Sequence, residues 1–241
     1  MEIISFGSGE RQRACEKILR ESSVGGRLLL LPIPTTRDKK YISGSDTPLD
    51  DLPNMLDDQT RVAGYAIPPG LFLNESVYDA SLDEDFLQEN AVLTAKGTIG
   101  YLLTHVDRDI SELKIAVVGY GRIGRVLLRL LLLLGAAPVM LTTRRSVAME
   151  LSEMGICASE LDKNTPLSDI DILINTAPSR LIAEERLSDN ALIIDLASGN
   201  NFEPGERLVK LSSVPSEMYP VSAGRIYARG ILKFLAREGQ G

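Results

Sequence analysis

Between residues 114 and 134 the chain runs through Ile115-Ala116-Val117-Val118, then Gly119-Tyr120-Gly121-Arg122-Ile123-Gly124, then a leucine-rich stretch with helical spacing. No other stretch constrains the fold as tightly. A continuous apolar run of this length suits a strand covered on both faces. Gly119 permits the tight turn, Gly121 lets the backbone approach a pyrophosphate, and Gly124 lets the next helix pack on the strand. The helix N-terminus adds unpaired N–H groups for phosphates. Glycine-rich turns between strand and helix also occur without ligand. The buried strand before this turn and the long apolar helix after it favour a dinucleotide site formed by Gly119, Tyr120, Gly121, Arg122, Ile123 and Gly124.

The end of the second strand separates the two nicotinamide dinucleotides. An NAD site places Asp or Glu there to bond the ribose 2′-hydroxyl. This chain has Leu141-Thr142-Thr143-Arg144-Arg145-Ser146, without a carboxylate. Hydroxyls and two guanidiniums suit a 2′-phosphate, because the planar guanidinium fork matches phosphate oxygens. Thr143, Arg144, Arg145 and Ser146 are therefore assigned to NADP, with NAD the less favoured cofactor; the plainer alternative is a solvated arginine pair. Arg122 in the first helical turn is either a pyrophosphate ligand or a surface residue. Asn175-Thr176-Ala177-Pro178-Ser179 and Asp195-Leu196-Ala197-Ser198-Gly199 follow two later strands. Ligands of open α/β sheets bind at such carboxyl ends, so Asn175, Thr176, Ala177, Pro178, Ala197 and Ser198 are expected to flank the nicotinamide; ordinary turns are the other reading.

Around this motif, strands are expected at 3–6, 28–31, 61–67, 114–119, 138–142, 171–175, 191–196 and 209–213. Helices are expected at 10–19, 83–89, 94–106, 122–134, 147–154 and 223–237, and a long polar loop at 34–58. Strands alternating with helices imply a Rossmann-type, doubly wound parallel α/β sheet with a second, smaller α/β domain. A net charge of −7 argues against nucleic acid and against anionic membrane surfaces. Residues 126–141 are interrupted by Arg129, Gly135 and Pro138, and fall short of the ~20 apolar residues that a bilayer span needs. Two cysteines, Cys15 and Cys157, lack metal-ligand spacing and are too few for a disulfide framework. No metal site is expected. With no basic, apolar leader at the N-terminus, these features fit a cytoplasmic protein.

Taken in order along nearly the whole chain, several segments resemble the family of the A-type component of dipicolinate synthase, which is related in architecture to D-2-hydroxyacid dehydrogenases. They are Gly9-Glu10-Arg11-Gln12, Leu31-Pro32-Ile33-Pro34-Thr35-Thr36, Thr94-Ala95-Lys96-Gly97-Thr98, His105-Val106-Asp107, the Gly119 turn, the two strand-end loops and Pro220-Val221-Ser222-Ala223-Gly224. The resemblance implies oxidation of a cyclic hydroxytetrahydrodipicolinate, made from lysine-pathway intermediates, to the dipicolinate of bacterial spores, together with a flavoprotein-type second subunit. A dicarboxylate substrate needs cationic or hydrogen-bonding partners, and Thr35, Thr36, Arg37 and Lys96 are the candidates; a solvated loop is the competing reading of Arg37. Residues 1–93, with the last helix 222–241 returning to them by that resemblance, would form the small domain, and 94–221 the Rossmann domain. A homodimer is compatible with such folds.

The chain also departs from the family pattern. Lys96 replaces an acidic residue, Gly199-Asn200-Asn201 replaces Arg-Pro-Gly-Gly, Ser213-Val214-Pro215-Ser216 replaces a glycine-proline stretch, and the first domain reads as short by one strand–helix–strand unit. Two other functions remain open at this point. A 2-hydroxyacid dehydrogenase wants a late acid–base histidine, whereas the single histidine, His105, precedes the cofactor motif and reads as a packed helix residue. The altered loops motivate a non-catalytic NADP-binding subunit that serves a partner.

Overall fold

The computed structural model describes residues 1–73, 76–178, 181–199, 201–211 and 213–238. The chain opens with β1 (Glu2–Ser5), α1 (Glu10–Glu21), β2 (Arg27–Leu30), β3 (Thr60–Gly64), β4 (Val77–Asp79) and α2 (Glu84–His105). It continues with β5 (Ile115–Val118), α3 (Arg122–Leu133), β6 (Val139–Thr142), α4 (Arg145–Glu153), β7 (Ala158–Glu160) and β8 (Ile172–Asn175). It closes with β9 (Leu192–Asp195), β10 (Leu208–Lys210), α5 (Val214–Met218) and α6 (Pro220–Glu238).

Two compact units result. One joins Met1–Asn90 to Pro215–Gly241, and the other is the continuous stretch Ala91–Val214. In the first unit four strands lie in the order β1-β2-β3-β4, all parallel. Right-handed crossovers are the rule for such pairs, and α1 packs against α6. Residues 34–58, expected as loop, contain short 3-10 turns and an isolated bridge between Tyr41 and Pro48, yet they cover Leu29 and Val62 of the sheet, and Leu31 just past β2, with Ile42, Leu49 and Leu52. A loop this long needs apolar anchors of its own to hold its path, and these three supply them.

The second unit carries six parallel strands in the order β10-β9-β8-β5-β6-β7. The chain starts in the middle at β5, adds β6 and β7 on one side, then returns to add β8, β9 and β10 on the other. The reversal falls between β5 and β8, where open α/β sheets form their ligand crevice. Every residue of β5 is buried. Ile115 and Val117 pack with Leu127, Leu128 and Leu131 of α3, while Ala116 and Val118 face Leu141, Leu173 and Ile193. This two-sided cover is why β5 reads as an unbroken apolar run rather than an alternating one.

Three local expectations differ from the structure. The helices expected at 83–89 and 94–106 are one helix, α2, because nothing in residues 90–93 breaks it. β4 and β7, three residues each, carry too little pattern to stand out in the sequence. His105 is exposed at the end of α2, stacked on Tyr101 with ring centroids 4.0 Å apart, rather than packed inside.

Candidate functional site: the glycine turn at the strand reversal

The turn after β5 is held from below by β8. Gly119 adopts φ +94°, a backbone region open to glycine. Its N–H donates to the Leu141 carbonyl at 2.8 Å. The Thr176 hydroxyl, just past β8, donates to the Val118 carbonyl at 2.8 Å and lies 3.2 Å from that of Gly119. A Cβ on Gly119 would sit 2.8 Å from that hydroxyl, and a Cβ on Gly124 would land on the Gly119 carbonyl oxygen. Both glycines are therefore demanded by the fold.

Gly121 is different. It caps α3 with an extended backbone, φ −87° and ψ −163°, that any residue adopts. Apart from its chain neighbours, no atom of the described residues lies within 4 Å of where its Cβ would be. The space above Gly121 is open, and α3 has no side-chain cap, so its first-turn N–H groups face that space without a protein acceptor from the cap position. An open cradle over an uncapped helix start fits a pyrophosphate. Arg122 and Ile123 begin α3, with Arg122 exposed and Ile123 packed against the core.

Arg144 caps α4, and its guanidinium reaches back to donate to the Tyr120 carbonyl at 3.3 Å, tying the end of β6 to the glycine turn. The Tyr120 ring lies under the Arg125 guanidinium, 5.4 Å from its centroid. Arg145 and Ser146 open α4, and with Thr143 they are exposed. Beside them a cavity of about 480 Å³ is lined by Thr143, Leu161, Lys163, Ile182 and Arg186, among others. Lys163 and Arg186 carry no signal in the sequence. They follow β7 and β8, and only the sheet order brings them beside Thr143.

The loops after β8 and β9 share one buried carboxylate. Asp195, 1% exposed, accepts from the Asn175 side-chain amide at 2.8 Å, from that of Asn201 at 3.3 and 3.2 Å on its two oxygens, and from the Ala197 N–H at 3.2 Å. Asn175 also brackets Ala177, donating to its carbonyl and accepting from its N–H. This network fixes Thr176, Ala177 and Pro178 on one strand end and Ala197 and Ser198 on the next. Ser179 and Asn200, parts of the same sequence motifs, lie outside the described residues.

Of the substrate candidates, Thr35, Thr36 and Arg37 belong to the first unit and Lys96 to the second. Thr35 is fully buried, and its hydroxyl accepts from the Tyr65 N–H at 3.0 Å. The Thr36 hydroxyl bonds Asp38 at 3.2 Å and accepts from the Lys39 N–H. Arg37 is exposed in the same loop, and Lys96 is exposed on α2. Asp38 accepts from the N–H groups of Lys40 and Tyr41, and these bonds hold its carboxyl below the usual range. Among the described residues no group of His, Cys, Asp or Glu is placed to hold a metal, and no helix is long and apolar enough to cross a membrane.

No family model matches the chain. The A-type component of dipicolinate synthase from Bacillus subtilis (strain 168) is 33% identical over 165 residues, a stretch that takes in 64% of this chain and 55% of that relative. The chain thus spans little more than half the length of the curated relative it matches. The crystal structure of the corresponding dipicolinate synthase component from Bacillus halodurans superposes with a TM-score of 0.81 at 21% identity, over 98% of this chain and 97% of that one. The NAD-complexed D-isomer specific 2-hydroxyacid dehydrogenase of Lactobacillus delbrueckii ssp. bulgaricus gives a TM-score of 0.56 at 11% identity, over 100% of this chain and 98% of that one. In sequence the chain is similar to the A-type component of dipicolinate synthase, and its Rossmann-type α/β fold is similar to that of the D-isomer specific 2-hydroxyacid dehydrogenase.

Proposed function

We propose that the chain is an NADP-dependent oxidoreductase acting on a cyclic dicarboxylate of the hydroxytetrahydrodipicolinate type. The observation that carries the cofactor half is the open, uncapped start of α3 above Gly121, set at the strand reversal with Arg144 and Arg145 at the end of β6. The pyrophosphate lies on the first turn of α3, whose N–H groups and dipole favour negative charge. The end of β6 carries no carboxylate of its own; Glu160 stands beside Thr142 on β7, and Asp162 lines the cavity with Lys163 and Arg186. Thr143, Arg144, Arg145 and Ser146 surround the 2′-phosphate, and that cavity receives the adenosine side.

A nicotinamide held there would supply a hydride acceptor for the substrate ring. The substrate loses that hydride, one proton and a water molecule, and becomes aromatic. The protein's part is to orient the two reactants and keep water away. Thr176, Ala177, Pro178, Ala197 and Ser198, held by the Asp195 network, form the wall against which the nicotinamide rests. The Bacillus relative is one component of a synthase, and we extend that to this chain: a second subunit, of flavoprotein type, is expected to complete the activity.

The chain has no tryptophan, so NADPH and NADH can be titrated separately by nicotinamide fluorescence against a low protein background. A charge-assisted contact to the extra phosphate contributes about 1.5–3 kcal/mol, so NADPH should bind about 10- to 100-fold more tightly than NADH. The double variant Arg144→Ala/Arg145→Ala should erase that preference while leaving NADH affinity nearly unchanged. Equal affinities in the unaltered protein would retire the 2′-phosphate assignment, and binding of neither nucleotide would retire the cofactor.

A second test isolates the cradle. Gly121→Ala puts a methyl group into open space, so unfolding should stay within about 0.5 kcal/mol of the unaltered protein. NADPH affinity should still fall by about 10-fold or more, because the methyl group stands where the pyrophosphate approaches. Unchanged NADPH affinity in this variant would mean that no phosphate comes near Gly121.

A further inference from the structure

The first unit has a second glycine-flanked strand-to-helix turn, Gly7-Ser8-Gly9 between β1 and α1. Gly7 adopts φ +96°, and Gly9 caps α1 without a side-chain hydrogen bond, in an extended conformation of φ −68° and ψ 156°. Apart from its chain neighbours, no atom of the described residues lies within 4 Å of where a Cβ on Gly9 would be. The turn stands at the carboxyl end of a parallel strand. A Cβ on Gly7 would touch Pro32 at 3.2 Å, so the loop after β2 that leads to Thr35 and Thr36 runs beside it.

In the first turn of this helix sits Arg11, 8% exposed. Its surroundings are unusual for a buried cation. Its two terminal nitrogens reach only neutral acceptors, the Ser216 hydroxyl at 3.4 Å and the Asn90 side-chain oxygen at 3.2 Å. Its carbon centre lies 5.5 Å from the centroid of the Phe86 ring. The buried Nε–H has no hydrogen-bond partner, and no carboxylate pairs with the guanidinium among the described residues. Burial pushes its pKa down to about 10, so it still carries its charge at neutral pH. A buried charge without a counter-charge is costly. Elsewhere the protein pairs its arginines freely, as in Arg27 with Asp57 and Arg20 with Glu16. The uncapped first turn of α1, whose N–H groups also favour an anion, is the natural place for the missing negative partner.

We propose that the Gly9 end of α1, with Arg11 supplying the charge, receives one carboxylate of the substrate. This rests on the dicarboxylate reading above.

The test uses pyridine-2,6-dicarboxylate, titrated by calorimetry into the full chain with and without NADPH. Arg11→Gln should weaken its binding by about 30-fold or more, with NADPH affinity unchanged. Gly9→Asp provides an independent variant that folds. Aspartate is a preferred cap and its Cβ has room, so this variant should unfold at a higher temperature. It should nonetheless lose the dicarboxylate, because its own carboxylate fills the site. A purely structural role for Arg11 predicts the opposite pattern, with Gly9→Asp binding the probe normally. Normal binding in either variant overturns the site. If the unaltered protein ignores pyridine-2,6-dicarboxylate while still binding NADPH, the substrate reading fails. Malonate then decides the site on its own: it should raise the unfolding temperature of the unaltered protein and not that of Arg11→Gln, and equal shifts would overturn it.

Discussion

Gly124→Val should lower the stability of the glycine-turn unit by about 3 kcal/mol, the upper range for overpacking, and its thermal midpoint by roughly 10 °C. The cause is local. A Cβ at position 124 would land on the Gly119 carbonyl oxygen, which is backbone and has no rotamer to yield. Gly119 in turn is pinned by its own bond to Leu141 and by the Thr176 hydroxyl, so the strain passes into β5 and β8. Opening the turn also moves the first-turn N–H groups of α3, on which the proposed pyrophosphate would rest. NADPH affinity should therefore drop on the order of 100-fold. Calorimetric unfolding and nicotinamide fluorescence, run side by side on Gly124→Val and Gly121→Ala, separate the two roles. A midpoint within a degree of the unaltered protein for Gly124→Val would contradict the packing argument.

The second large effect is expected at Asp195. Replacing it with alanine removes the acceptor for Asn175, Asn201 and the Ala197 N–H at once. All three residues are buried or nearly so. Each buried donor left without a partner costs about 1–3 kcal/mol, and partial rearrangement brings the sum to about 4 kcal/mol rather than the full total. Asp195→Asn keeps one acceptor oxygen and should cost about half as much. A double-mutant cycle between Asp195→Ala and Asn201→Ala should return a coupling of about 1 kcal/mol or more. Additive single effects would mean that the three side chains do not act as one network. Because the network holds the loops after β8 and β9, cofactor affinity should fall with stability in Asp195→Ala.

The sheet of the second unit is legible in the sequence because its signal is local and redundant. Val117 and Val118 are buried on opposite faces, so the apolar run, the turn glycines and the helix after them all report the same element. The short edge strands give no such signal. β7 has one half-buried residue and two exposed ones, so nothing in Ala158-Ser159-Glu160 reads as strand until β6 lies beside it. Helix α2 reads as two pieces because acidic residues 83–89 and apolar residues 94–106 look like different surfaces, though they are consecutive turns of one rod.

The site divides along the same line. The glycine turn and Arg144 are neighbours through one strand pairing, and sequence spacing captures that. Lys163 and Arg186 come to the cavity beside Thr143 only through the sheet order. Asp195 sits in Ile193-Ile194-Asp195-Leu196, where a lone carboxylate reads as a strand end, and its three donors come from scattered positions. Thr35 looks like a ligand because it is polar in a loop, yet its hydroxyl serves the Tyr65 backbone. Arg11 reads from the sequence as one more charge on an amphipathic helix. Its burial depends on Phe86 and Ser216, far along the chain.

The division of the first unit into Met1–Asn90 and Pro215–Gly241 bears on how the protein is made. Helix α6 supplies Tyr227, which packs on Phe86 at 6.0 Å between ring centroids and whose hydroxyl donates to the Leu31 carbonyl at 3.2 Å. A ribosome delivers that tyrosine after every strand of both units. Translation usually lets N-terminal domains fold first, but here the order is inverted. The continuous unit has all of its strands once Lys210 has emerged, while β1 to β4 wait for the packing that α6 supplies. Residues of the first unit are thus the ones most exposed to aggregation and to chaperones during synthesis, and a stop between Val214 and α6 should leave a folded second unit beside an incomplete first one.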